Sequence, residues 1–313
     1  MQFRTVVGIV LFALVGVSVS AQQATIFPFM RGTISARMAG LGGATVAMTN
    51  DVATVVMNPA SLVTIDSAVM SATFSKNVLD LNSGYAVYGD QWEGVGAYAF
   101  TASFNSNGVF ERRSRTGELT GDFTVSDVVL AASFAREIDS LISYGATIKF
   151  MHSSAESQQS TAIAADIGLM IRIPQSRTNL GFSLLNAGTQ LTTYDGVKDK
   201  LPLELRLGIN HRLRGLPLLV NFSLNHLTDE VNSFTDRFLN FSLGGELYVG
   251  KYVQVRLGYD NATRNLSGVN VATQLTGLSG GIGVHLRSVN IDYAMSSLGS
   301  AALVHRISVG LGL

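Results

Sequence analysis

Three sets of residues have types and spacings that bear on chemistry: five histidines, six charged residues at alternate positions, and one glycine-rich turn. His152, His211, His226, His285 and His305 are scattered among strand-like stretches, and no pair has the His-x-x-x-His or comparable spacing of a metal site. His226 with Asp229 and Glu230 comes nearest to a cation site, but that stretch reads as a solvated outer loop. Gly40-Leu41-Gly42-Gly43 resembles a phosphate-cradling turn only superficially. No Lys-Ser/Thr follows it and no βαβ pattern surrounds it, so close backbone packing is the better account of these glycines. No nucleophile elbow supports a Ser-His-Asp hydrolase. Cysteine is absent, which removes disulfides, thiolate ligands and a lipid-modified N-terminal cysteine. The expectation is a protein with no catalytic residue, no metal and no cofactor.

Glu204, Arg206, Glu246, Arg256, Asp260 and Asp292 all fall on the polar side of an alternating pattern. Such residues either set the selectivity of a lumen or pair with one another and hold a plug. Pairing is favoured, because an unpaired buried ion is costly. The cluster Glu111-Arg112-Arg113-Ser114-Arg115 reads as solvated, with anionic lipopolysaccharide or a partner protein as its alternative ligand.

The elements that would carry these residues have a period of two from Ser67 onward. Leu201, Leu203, Leu205, Leu207 and Ile209 alternate with Glu204, Arg206, Gly208 and Asn210; Val253, Val255, Leu257 and Tyr259 alternate with Gln254, Arg256, Gly258 and Asp260. Alternation alone fits either a soluble β-sandwich or a barrel with lipid outside and a polar lumen. Turn spacing separates them. Long connections at 105–123, 153–159, 187–200, 227–234 and 261–275 alternate with short ones at 91–93, 137–139, 174–177, 214–215, 250 and 288. Short turns on one rim and long loops on the other are the pattern of an outer-membrane barrel. The fold class expected is therefore all-β: a transmembrane antiparallel β-barrel of about fourteen strands, range twelve to sixteen. An even count puts both termini on the periplasmic side. Such a lumen is too wide for side chains alone to fill.

Composition agrees. Charged residues make up 14% of the chain, against roughly 25% in soluble proteins. The 22 basic and 22 acidic residues cancel, leaving no footprint for nucleic acid. Residues 1–21 read as a signal peptide, with Arg4 in the n-region and Val19-Ser20-Ala21 as the cleavage site. Residues 22–66 form a small-residue, nearly uncharged segment, expected as a hatch inside the barrel formed by residues 67–313. Within it, Arg37, Gly40, Gly42, Gly43 and Ala44 precede Asn58-Pro59-Ala60. The proline fixes its own φ and keeps Asn58 extended, and the Asn58 side chain is placed to cap the local backbone.

Ser35-Ala36-Arg37-Met38-Ala39-Gly40-Leu41-Gly42-Gly43-Ala44, then Asn50-Asp51 and Asn58-Pro59-Ala60-Ser61-Leu62, resemble the N-terminal signature of the PorV/PorQ family. The resemblance continues through YGATIKF, AADIGL, NAGTQLTTYDG, FSLGGEL, VRLGYD and IDYA, over nearly all of the chain after the leader. NAGTQL and RGLPL are closer to the PorQ branch. Ser61 stands where the family usually has glycine, and Leu313 where a terminal aromatic is usual. The resemblance implies an outer-membrane barrel akin to FadL-type channels, acting in type IX secretion and surface attachment. PorZ-like or sortase-like subunits are the implied partners, besides outer-membrane lipid. The alternative is a FadL-like diffusion channel for a small hydrophobic ligand, gated by the hatch.

Overall fold

The computed structural model describes residues 25–76, 81–114, 116–156, 158–194, 196, 198–231, 233–266, 275–299 and 302–313. The leader expected at 1–21 lies outside them. The period-two sequence forms fourteen antiparallel strands: β1 (Val69–Lys76), β2 (Asn82–Trp92), β3 (Gly96–Arg113), β4 (Leu119–Glu137), β5 (Ile142–Ala155), β6 (Gln158–Ile173), β7 (Thr178–Thr192), β8 (Glu204–Arg212), β9 (Leu218–Leu224), β10 (Phe241–Val249), β11 (Val253–Asp260), β12 (Leu278–Leu286), β13 (Val289–Ser297) and β14 (Leu303–Gly312). Each pairs with its sequence neighbours, and β1 pairs with β14 from Val69↔Gly312 to Lys76↔His305. The sheet thus closes as a barrel and has no edge strand. Closure satisfies every strand's backbone within the wall, which a bilayer requires.

The direction of the alternation settles what alternation by itself left open. Ile148 is 72% exposed, Leu257 71% and Phe100 58%, while their neighbours Lys149, Arg256 and Thr101 are buried. A soluble sandwich would place these residues the other way round. An apolar outer face over a polar lumen is the membrane-spanning arrangement. Among the described residues no helix is long and apolar enough to cross a membrane.

The wall is uneven in height. β3 to β7 have 14 to 19 residues, whereas β8 to β14 have 7 to 10. The connection expected at 105–123 is therefore largely strand. Pairing between β3 and β4 passes a bulge between Ser106 and Val109 and continues to Arg113↔Leu119. The Phe110 and Phe123 rings stack at 5.5 Å across this hairpin. Its other residues are mostly polar, with Val109 and Leu119 among them, because they stand beyond the apolar band, and this mixture made the stretch resemble a loop. The same reason extends β7 through Thr192 and reduces 153–159 to a tight turn between Ala155 and Gln158.

The lumen is occupied by the N-terminal segment. Its elements are a 3-10 turn at Pro28–Arg31, helix α1 (Ala36–Gly40), and 3-10 helices at Val52–Val56 and Pro59–Thr64. The segment supplies the large apolar groups: Met38, Val52, Val55, Met57 and Leu62 pack against Ala97, Ala99 and Ala135 of the wall. A wall of small residues leaves room for this filling, which explains why the core contains few large wall side chains.

Candidate functional site

The N-terminal segment is held in a single course by local caps. Ser35 starts α1 by accepting the Met38 amide at 3.2 Å. Gly42 and Gly43, at φ 64 and 77, end the helix, with the Gly43 amide donating to Met38 O at 3.0 Å. These left-handed positions favour glycine. Asp51 caps the second short helix through the Ala53 amide, at 3.0 Å. Asn58 caps the third through the Ala60 amide at 3.1 Å, with Pro59 at its first position. The Asn58 amide also donates to Val46 O at 2.9 Å and to Leu169 O on β6 at 3.1 Å. It thereby joins two parts of the segment to the wall.

Wall glycines admit the segment's backbone. A Cβ at Gly168 would lie 2.1 Å from Asn58 Oδ1, one at Gly181 2.2 Å from Val46 O, and one at Gly258 2.1 Å from the Gly42 amide nitrogen. Gly145, Gly208 and Gly244 meet Pro59, Val46 and Leu41 in the same way, so the contact runs around most of the wall.

On β10 to β13 charges add to these contacts. Arg37 grips Glu246 of β10 with two bonds, Nε–Oε1 at 2.9 Å and Nη2–Oε2 at 2.8 Å. Arg256 of β11 donates to the same Glu246 at 2.7 Å and to Asp292 of β13 at 2.5 Å. Burial disfavours the Arg37 charge, but Glu246 more than offsets this and holds the guanidinium well above its ordinary pKa. Burial pushes the Asp51 carboxyl up, only partly countered by Arg37 at 3.5 Å.

Glu204 and Arg206 form a second pair at 2.7 Å, with Arg206 also donating to Arg31 O at 2.7 Å and His226 Nδ1 3.0 Å from Glu204. Asp260 stands apart: it ends β11 and accepts the Ala262 amide at 3.0 Å, at the start of helix α2 (Asn261–Leu266). His226 and Asp229 turn to different partners, Glu204 and Arg31, and among the described residues no acidic and histidine side chains gather as a metal site. On the β3–β4 hairpin Glu111 pairs with Arg113 and Arg112 with Glu156; Arg115 lies outside the described residues.

One buried ion pair was not singled out from the sequence. Lys149 Nζ lies 2.7 Å from Asp166 Oδ2 and donates to Asn186 Oδ1 at 2.7 Å. The inward position of Lys149 between Ile148 and Phe150 was the available signal.

Cavities lie around the segment among the described residues. One of about 220 Å³ is apolar on the segment's side, with Phe29, Ile34, Val55 and Val56, and largely polar on the wall's side, where Thr73, Ser75, Thr101, Ser133, Thr147, Lys149 and Arg306 join Tyr85 and Val129. A second, about 310 Å³ and polar, lies at the rim of short turns beside Asp51, His285 and Asp292. The third, about 700 Å³, lies at the long-loop rim beside Arg31, His226, Asp229 and Asp260. Gly32, Thr33 and Arg306 line both the first and the third, so the first adjoins the vestibule.

No family model matches the chain, and no curated protein does. Solved structures do. The toluene transporter TbuX of Ralstonia pickettii matches at TM-score 0.62 and 14% identity, over 92% of this chain and 100% of that one. The monoaromatic hydrocarbon channel CymD matches at TM-score 0.61 and 14% identity, over 90% of this chain and 97% of that one. A FadL homologue of Pseudomonas aeruginosa matches at TM-score 0.57 and 13% identity, over 90% and 98%. At such identities the likeness is one of fold. The chain is a closed fourteen-stranded antiparallel barrel with the fold of FadL-type outer-membrane channels.

Proposed function

We propose that this protein is a passive outer-membrane channel for small hydrophobic molecules, with both termini periplasmic and residues 22–66 acting as a hatch. The observation that carries this reading is the cavity of about 220 Å³ between the segment and the β2–β5 wall, adjoining the vestibule at the long-loop rim. A cavity of about 150 Å³ suffices to hold benzene, so this one has room for a single-ring molecule against its apolar side of Phe29, Ile34, Val55 and Val56. The neighbours with the same fold include toluene transporters and a monoaromatic hydrocarbon channel, which agrees with a ligand of that size. No step of chemistry is assigned to the barrel; its work is to hold and pass a molecule. The test is uptake of a radiolabelled monoaromatic compound by cells with and without the gene. Gene-dependent uptake is expected, and equal uptake in both strains sinks the proposal.

A second reading follows the PorV/PorQ resemblance: a type IX secretion component docking PorZ-like or sortase-like subunits. The observation in its favour is the β3–β4 hairpin, whose strands pair as far as Arg113↔Leu119, well past β2, and carry exposed Val109, Phe110 and Leu119. It predicts co-purification with surface-complex subunits and periplasmic accumulation of cargo after deletion. Normal secretion in the deletion strain would rule it out.

A further inference from the structure

Among the described residues, the buried and half-buried Lys and Arg side chains that face the lumen have carboxylate partners with one exception, Arg212 and Arg287 being exposed at the short-turn rim. Arg31 holds Asp229, Arg37 holds Glu246, Lys149 holds Asp166, Arg206 holds Glu204 and Arg256 holds Asp292. The Arg306 side chain makes no ion pair or hydrogen bond among the described residues, and its buried Nε has no partner. It projects inward from β14 between buried Val304 and Ser308, and its cross-strand neighbours are Ser75 and Ala294. None of these four offers a negative charge. A cation left in this state is costly, and the surrounding lumen solves the same problem five times by pairing.

Position adds a second observation. Arg306 lines both the 220 Å³ cavity, on its polar side, and the vestibule, at the point where they adjoin. Lys149, the other basic residue lining that cavity, is already committed to Asp166 and Asn186. A ring lying among Phe29, Ile34 and Val55 would therefore have one unoccupied guanidinium within the lining of its cavity. Arg is suited to this, since its planar fork receives a carboxylate through two parallel hydrogen bonds.

We propose that Arg306 is a specificity-determining residue, and that the channel selects small aromatic molecules bearing a carboxylate over neutral ones of the same shape. This rests on the channel reading above, and it distinguishes the ligand from a neutral hydrocarbon. Binding forms no covalent bond: the anion exchanges water for the guanidinium while its ring lies against the apolar side of the cavity.

Benzoate and toluene are the probes, since they differ in carboxylate against methyl on one ring. Binding of each to the purified full chain in detergent is measured by equilibrium dialysis. Benzoate is expected to bind at least about tenfold tighter than toluene, the change given by about 1.4 kcal/mol. In Arg306→Gln that ratio falls towards one with toluene binding unchanged, and Arg306→Lys restores part of it. Rising sodium chloride weakens benzoate alone in the unaltered protein, a readout that does not depend on any variant folding. Toluene binding as tight as benzoate, a ratio unmoved by Arg306→Gln, or benzoate binding indifferent to salt overturns this inference and leaves the channel reading standing. Failure of both probes to bind overturns the two together.

Discussion

The two sides of the lumen hold the N-terminal segment by different physics. On the β5–β8 side the contacts are neutral and depend on shape: Gly168, Gly181 and Gly208 remove side chains where Asn58, Val46 and Ala47 approach. Backbone carbonyls are met there by Asn58 and by Asn210, whose amide donates to Ala47 O at 2.7 Å. On the β10–β13 side Gly244 and Gly258 admit Leu41 and Gly42 in the same way, but an ionic chain is added, from Arg37 through Glu246 and Arg256 to Asp292. Shape complementarity fixes how deep the segment sits. The ionic chain fixes its rotation, because one arginine must reach one carboxylate. Together they leave the segment no equivalent alternative seat.

The largest effect expected is on the ionic side. Glu246→Ala removes the shared acceptor of Arg37 and Arg256, leaving the first with only a 3.5 Å contact to Asp51. Breaking a buried pair from one side costs about 3–5 kcal/mol, readable in urea unfolding of the detergent-solubilised barrel. A loss below that of the neutral-side variant would show that shape, and not charge, dominates the seating. On that neutral side, Gly168→Ala places a Cβ 2.1 Å from Asn58 Oδ1, whereas Gly84→Ala meets nothing within 4 Å. Overpacking of this kind costs about 1–3 kcal/mol, so Gly168→Ala should lower the unfolding midpoint while Gly84→Ala leaves it in place.

The smallest effect concerns pH. Burial raises the Asp51 carboxyl above the ordinary carboxylate range, against the pull of Arg37. Folding therefore takes up a proton at Asp51. The stability this contributes is full below the ordinary carboxylate pKa and is lost as pH rises through the raised value. Asp51→Asn keeps an acceptor for the Ala53 amide and removes the charge, so it should flatten this part of the stability–pH curve. An unchanged curve would assign the titration to another group.

Much of the barrel was legible in order. The alternation of Val253 to Asp260 and the short turns at 174–177 and 250 lie in the structure where period and turn composition put them. The tall hairpin was missed because residues 105–123 mix polar and apolar groups outside the apolar band, where a strand has no lipid to face. The ion pairs were half visible. Glu204, Arg206, Glu246, Arg256 and Asp292 share a polar face by spacing alone, but spacing says nothing of which strand stands across the lumen. Asp260 shares that face too, yet it turns to the amide of Ala262 at the strand's end. Lys149 and Asp166 lie on adjacent strands at Lys149↔Ala164, a register that the sequence does not print.

By itself the sequence determined the local facts: period-two strands, turn positions, the caps of Ser35, Asp51 and Asn58, and low charge. Each depends on residues a few positions apart. Only the tertiary structure decided which face turned outward, which glycines met the segment, and that Arg306, where the described cavity beside the segment meets the vestibule, was left without an anion. Those outcomes depend on residues far apart in the chain, brought together when β1 closes on β14. Closure sets the distances across the lumen, and charge pairing and packing fall off too steeply with distance for any local pattern to encode them.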